Sequence, residues 1–329
     1  MNDFEIRLPE PSGGLTWRWM ESDDQDVVYN LFHLIEEVDN PPYRTTLAEI
    51  NQLFAQTQHW VGIVGETEDG TPKAFLHARL RLADPFEVRC NGAVTHDYRG
   101  RGIGSIIAQF QGEAGEYLAR LLPPGVPVVI LCSAANHSAE WEHILEAQGY
   151  SWSYTLHEMR SDLKALPEPG TPGPLIKIEP WNPDLENLVR LAALEFAPGA
   201  VNSIGRNLEQ WKANRPDFAP ELSFIALDRS TDRTRVAGFL LAAKYEQDWE
   251  VLGWQEGYID LLEVGLAWRQ TDVAKELVSA TMHAAKAAGL DKVATAVSSH
   301  HELAATKLFG SLGFSAGNQE REYTKKINR

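Results

Sequence analysis

Val94-Thr95-His96-Asp97-Tyr98-Arg99-Gly100-Arg101-Gly102-Ile103-Gly104-Ser105 is the stretch on which the fold turns. Ahead of it, Val88–Thr95 reads as a strand. Behind it, Ile103, Ile106, Ile107, Phe110, Ala114, Tyr117 and Leu118 recur at helical spacing, the pattern of an amphipathic helix packed on a sheet. Three glycines lie at the junction, where missing Cβ atoms let backbone approach a ligand closely. The first helical turn also leaves unpaired N–H groups and the positive end of the helix dipole. Strand, glycine turn and helix start together form a cradle for a pyrophosphate, with Arg99 and Arg101 adding local positive charge. Two other phosphate loops are excluded. The Gly-Lys-Ser/Thr of a Walker A loop is absent, and Gly104 falls one residue too early for G-x-G-x-x-G.

Outward from this junction the chain repeats itself coarsely. Trp60–Val64, the polar turn 68–72 and Ala74–Leu80 read as a strand hairpin, as do Phe224–Asp228, the polar turn 229–233 and Val236–Ala242. Each half then offers another strand, a long helix, an apolar strand, a short helix and a Gly-aromatic pair. Arg99 and Arg269 lie 170 residues apart, and Gly149 and Gly313 lie 164 apart, so two landmarks give nearly one period. Helices are expected before the hairpins at Asp23–Glu37, Thr45–Thr57, Pro183–Phe196 and Asn207–Asn214. Between the halves, 166–174 carries four Pro and two Gly and reads as a linker. The expected organisation is an α/β (α+β, mixed-sheet) protein with domains at 1–165 and 175–329.

Composition bounds the function. The 329 residues suit two domains. A net charge of −16 argues against nucleic acid as a partner. It also requires a local site to oppose the global field if the cofactor is an anion. No apolar run approaches the roughly 20 residues of a membrane span. Cys90 and Cys132 imply no disulfide framework, and Met1–Glu5 lacks signal-peptide character. The expected setting is cytoplasmic, as monomer or homodimer, without membrane association.

Arg99-Gly100-Arg101-Gly102-Ile103-Gly104 resembles the acyl-CoA signature of the GNAT superfamily, Q/R-x-x-G-x-G/A. The internal repeat resembles tandem GNAT proteins, as in the arrangement of mycothiol synthase. Leu308-Phe309-Gly310-Ser311-Leu312-Gly313-Phe314 is similar to the superfamily's L-Y-x-x-x-G-F ending. The resemblance implies two tandem domains, each a splayed mixed sheet flanked by helices, with acetyl-CoA in the splay. It implies that amides from Arg101 to Gly104, with Arg99, Gly100 and Ser105 in the same loop, hold the pyrophosphate. Val94 would bind the pantetheine and polarise the acetyl carbonyl, Thr95 would lie alongside, and Asn136 would sit near the sulfur. An amine of a small molecule or peptide then attacks the thioester, which needs a deprotonated amine, a held oxyanion and a protonated leaving thiolate.

The second half departs from the pattern, because Asp272 stands where Gly102 stands and Ala274 where Gly104 does. A carboxylate about 4 Å from a phosphate costs on the order of 4 kcal/mol at an effective dielectric near 20. Asp272 is also a good N-cap, so the second half reads as a copy that does not bind the cofactor. Ser299-His-His-Glu302 reads as a capping box rather than a metal site, and no metal is expected. The proton-transfer groups are open. Leu145 occupies the superfamily's usual Tyr position, leaving Tyr150, Tyr154 or water as the acid. Glu87 lies one residue from the usual base, on the opposite face of the strand unless a bulge re-aims it. A non-catalytic acyl-CoA sensor or scaffold is the competing function.

Overall fold

The computed structural model describes residues 6–54, 59–81, 86–135, 138–166, 175–197, 208–213 and 215–327. In chain order these form β1 (Thr16–Trp19), α1 (Gln25–Asp39), α2 (Leu47–Leu53), β2 (Trp60–Glu66), β3 (Pro72–Arg81), β4 (Phe86–Val94), α3 (Ile103–Ala119), β5 (Val128–Ala135), α4 (Ala139–Ala147) and β6 (Ser151–Asp162). There follow β7 (Ile176–Pro180), α5 (Glu186–Phe196), α6 (Leu208–Ala213), β8 (Phe224–Asp228), β9 (Arg235–Ala243), α7 (Trp249–Leu252), β10 (Glu256–Val264), α8 (Val273–Ala287), β11 (Lys292–Ser298), α9 (Glu302–Ser311) and β12 (Ser315–Ile327). The four helices expected before the hairpins are all present, displaced at their ends by a few residues.

The chain forms two compact units, Met1–Tyr154 with Glu320–Arg329, and Thr155–Gln319. In the first, β1, β2, β3 and β4 pair antiparallel in sequence, β4 pairs parallel with β5, and β5 pairs antiparallel with the end of β12. In the second, β7, β8, β9 and β10 pair antiparallel, β10 pairs parallel with β11, and β11 pairs antiparallel with β6. The strand pattern is the same twice, but each unit takes its sixth strand from the other sequence half. The linker at 166–174 therefore does not mark where one unit stops and the other starts. Nothing in the composition of 151–162 or 315–327 says which sheet edge receives which strand, since both alternate in the same way. Residues 167–174 lie outside the described residues.

In the first unit α3 buries Ile103, Ile107, Phe110, Ala114 and Leu118 against Leu76, Val88 and Ile130 of the sheet. On the other sheet face, α1 and α2 contribute Val28, Leu31 and Ile50, packed with Phe75. Thr46 and Glu49 start α2 with a reciprocal capping box. The second unit repeats the arrangement: α8 covers one face with Val273, Leu277 and Met282, while α5 and α6 cover the other with Val189 and Trp211. Cys90 and Cys132 are both buried in the first unit's core, and burial raises both thiols above their ordinary range.

Candidate functional site

The loop between β4 and α3 has the geometry of an anion nest. Gly100 has φ 72° and Gly102 has φ 80°, while among the described residues Asn40 alone is a non-glycine of positive φ. The sign of φ therefore alternates through Gly100-Arg101-Gly102, which turns successive N–H groups toward one concavity. A Cβ at Gly100 or Gly102 would meet nothing within 4 Å, so the glycines serve backbone conformation, not packing. Gly102 also sits at the start of α3, whose first N–H groups have no intrahelical acceptor.

Neither arginine of the motif points its charge into this concavity. Arg99 forms a two-pronged ion pair with Asp39 at 2.6 and 2.8 Å, and its Nε donates to the Val94 carbonyl at 3.2 Å. Arg101 donates to the Asp97 carbonyl at 2.9 Å and stacks 4.2 Å above the Tyr98 ring. The arginines fix the loop, leaving main-chain amides to meet an anion. A recess lined by Gly14, Lys73 and Tyr98 adjoins the loop, but Glu68, Asp69 and Asp97 make it a poor place for phosphate.

The strand leading into the loop opens away from its neighbour. β4 pairs with β5 from Phe86–Val128 to Arg89–Leu131, and among the described residues no pair follows. The Thr95 N–H donates to the Lys73 carbonyl of β3 at 2.9 Å, and the Phe86 N–H donates to Pro127 at 3.2 Å. Along an antiparallel strand, amides alternate between the two neighbours. Gly92 and Val94 thus direct their N–H groups toward the side where β5 has departed. These amides line a gap that continues into the glycine loop. Gly92 was not legible as part of this site, because its role comes from pairing parity and not from a motif.

The second unit keeps the splay and loses the nest. β10 pairs with β11 from Glu256–Lys292 to Ile259–Thr295 and no further among the described residues. Arg269 Nε donates to the Val264 carbonyl at 3.2 Å, the same latch that Arg99 makes. Arg269, however, has φ −60° and ψ −24°, and Asp272 has φ −78°, so no left-handed residue turns the amides inward. The Asp272 side chain makes no capping bond, contrary to expectation; the Thr271 hydroxyl, 3.4 Å from the Val273 N–H, stands in its place. The Ser299 hydroxyl accepts the Thr155 amide at 3.1 Å, and the Glu302 side chain of the capping box expected at 299–302 lies outside the described residues.

Residues 188–314 match the model of the acetyltransferase (GNAT) family. The match covers less than half of the chain and falls within the second sequence half. The whole chain is similar in fold to a GCN5-related N-acetyltransferase from Sphaerobacter thermophilus, at 18% identity over 98% of each chain and a TM-score of 0.70. It is similar to a tandem GNAT protein from the clavulanic acid biosynthesis pathway, at 14% identity over 96% of this chain and 99% of that one, with a TM-score of 0.66. It is also similar to the N-myristoyltransferase of Saccharomyces cerevisiae solved with myristoyl-CoA, at 13% identity over 99% and 82% of the two chains, with a TM-score of 0.59. No curated protein matches the sequence. The fold over the whole chain is therefore that of tandem GNAT proteins.

The candidate proton-transfer groups of the GNAT units fall in unequal places. Glu87 lies on the sheet face opposite α3, across from Arg81, and the β3–β4 register is unbroken, so no bulge re-aims it. Tyr150 is 3% exposed in the core beneath α3, with Gln111 3.5 Å from its hydroxyl, and burial raises the phenol above its ordinary range. Tyr154 is half-buried within electrostatic reach of Glu87, Arg89 and Glu322; burial first, then Glu322, raises it to about 12. Asn136 lies outside the described residues. Two carboxylates escaped the sequence reading. Glu322, 1% exposed, is 3.0 Å from Arg89 and accepts from Ser133 at 3.0 Å; burial raises it, and it is invisible until β12 is known to join β5. Asp260 is the bulged residue of β10, where register with β9 shifts between Ile259 and Leu261. It is recessed but open to solvent, accepts from the Tyr245 hydroxyl at 2.9 Å, and is raised to about 6 by desolvation.

Proposed function

We propose that the first unit binds acetyl-CoA and transfers its acetyl group to an amine of a small molecule or peptide. One observation carries this reading: the alternating-φ glycine loop at the mouth of a strand splay, present in the first unit and absent from the second. Amides from Arg101 to Gly104 would hold the pyrophosphate, with Ser105 at the helix start and Thr95 beside the strand end. The Gly92 and Val94 amides would meet the pantetheine and the thioester carbonyl oxygen, where preorganised donors stabilise a developing oxyanion. The amine nitrogen attacks the carbonyl carbon, the C–S bond breaks, and the thiolate takes a proton. Glu87 would receive the amine's proton only if the acceptor reaches the sheet face opposite α3, where the unbroken β3–β4 register leaves this carboxylate. Tyr154, rather than the buried Tyr150, is the phenol placed to supply one. Mixing acetyl-CoA with a broad amine panel and following free thiol tests the reading. Acceptor-dependent thiol release is the expected outcome; tight binding without release across the panel favours an acyl-CoA sensor.

A second reading places the chemistry in the second unit, and Asp260 favours it: a carboxyl titrating near neutrality on a bulged strand suits a general base. The two readings separate by substitution. Glu87→Gln should lower acceptor-dependent turnover by about 100-fold or more and Asp260→Asn should spare it; the reverse pattern moves the chemistry to the second unit.

A further inference from the structure

The sheet face opposite α3 in the first unit carries a basic cluster that the cofactor loop does not use. Strand parity puts His77, Arg79 and Arg81 of β3 on this face, with Glu87, Arg89 and Asn91 of β4 directly across from them. Arg89 is satisfied by Glu322 at 3.0 Å and by the Ser133 hydroxyl at 2.8 Å. Arg79 is not: its Nε is buried and has no hydrogen-bond partner among the described residues. His77, fully buried two residues earlier on the same face, has the Leu53 backbone beside its ring, and the ring stacks on Trp60 at 5.2 Å. Burial, then the Arg79 charge, pushes His77 down to about 3, so it is neutral and does not add to the repulsion. Arg81 has no carboxylate within ion-pair distance among the described residues, although Glu87 is its register partner.

Such a cluster is costly without a ligand. Burial first, and then the charges of Arg81 and Arg89, push the Arg79 guanidinium down to about 10. A partly buried guanidinium that meets like charges and has no carboxylate partner among the described residues is unusual in a chain of net charge −16. Arg18, Arg99, Arg160 and Arg235 each have an acidic partner within 3 Å. A guanidinium offers paired N–H donors in a fork that fits a carboxylate, and the Nε–H of Arg79 has no partner among the described residues.

We infer that this cluster binds a carboxylate through Arg79 and Arg81, so that the acceptor is an amino acid or a similar amine that also carries a carboxylate. What happens to that molecule rests on the proposed transferase reading; that it binds does not. Arg79 and Arg81 would take the carboxylate, with the stacked Trp60 and His77 rings beside them.

The test is titration calorimetry with the full chain, using individual L-amino acids, their carboxamides and inorganic phosphate, each with and without saturating acetyl-CoA. At least one amino acid should bind, its carboxamide should bind roughly 10- to 100-fold more weakly, and Arg79→Gln and Arg81→Gln should each weaken the acid by a similar factor. Melting separates this from a structural role, because Arg79→Gln should leave the unliganded protein as stable or more so. Failure of every acid to bind, equal binding of acid and carboxamide, unchanged affinity in both variants, or phosphate bound in place of the acids would overturn the inference. Acid binding by a protein that ignores acetyl-CoA would instead sink the transferase reading and leave this one standing.

Discussion

At the scale of single residues, the account rests on Gly102. The position needs φ 80°, and its Cβ direction is open, so a side chain there perturbs backbone and ligand rather than packing. Gly102→Ala costs about 1 kcal/mol of left-handed strain. Gly102→Asp adds a charge beside the phosphates worth about 4 kcal/mol at an effective dielectric near 20, roughly a thousandfold in Kd. Melting temperature of both variants should fall by a similar small amount, while acetyl-CoA affinity should collapse only for Asp; equal affinity in the two would contradict the electrostatic argument. Asp260 gives a pH signature. Its folded pKa, about 6, lies above the ordinary aspartate value of 3.8, so between those values the native state holds more proton than the unfolded state. Its contribution therefore favours folding as pH falls from 6 toward 4, and disfavours it above 6. Asp260→Asn should be more stable than the parent at pH 7 and lose that advantage by pH 4, read as thermal midpoints across the series.

At the scale of elements, the loop and its flanks were legible because three independent signals coincide within twelve residues: an apolar strand, glycines and a helical repeat. The hairpins were legible from alternation around polar turns. The roles of Arg99 and Arg101 were not, because nothing local announces that Asp39 and the Asp97 carbonyl occupy them. The exchanged strands were hidden for a related reason. Pairing is a long-range choice between similar edges, and the relevant partners, Tyr323 with Cys132 and Glu322 with Ser133, lie 191 and 189 residues apart. The exchange has a consequence for dissection. A fragment of residues 1–165 keeps the cofactor motif but lacks Tyr323 and Ile327, which pack in the first unit's core, and leaves Arg89 without Glu322. Loss of a buried aromatic alone costs about 3–5 kcal/mol, a large part of a domain's stability. The fragment should show no cooperative melt by circular dichroism, although its boundary looks natural from the proline-rich linker. A sharp melt would show that β12 is dispensable.

At the scale of the whole molecule, two copies of one strand pattern differ in the loop that follows the splayed strand. The family model finds the second copy, 188–314, whereas the intact glycine signature sits in the first. Both copies retain the splay and the arginine latch, but the first alone keeps the left-handed turns of the nest. The proposed division of labour would follow from backbone conformation: Gln270, Asp272 and Ala274 replace Gly100, Gly102 and Gly104, and the left-handed turns go with the glycines. Overall charge helps neither copy, since an anion must be drawn to a chain of net charge −16 by local amides alone. Calorimetric titration of acetyl-CoA into the full-length chain tests this most directly. One site per chain, removed by Gly102→Asp, is the expected result; two sites, or a single site that survives Gly102→Asp, would place the cofactor elsewhere and contradict it.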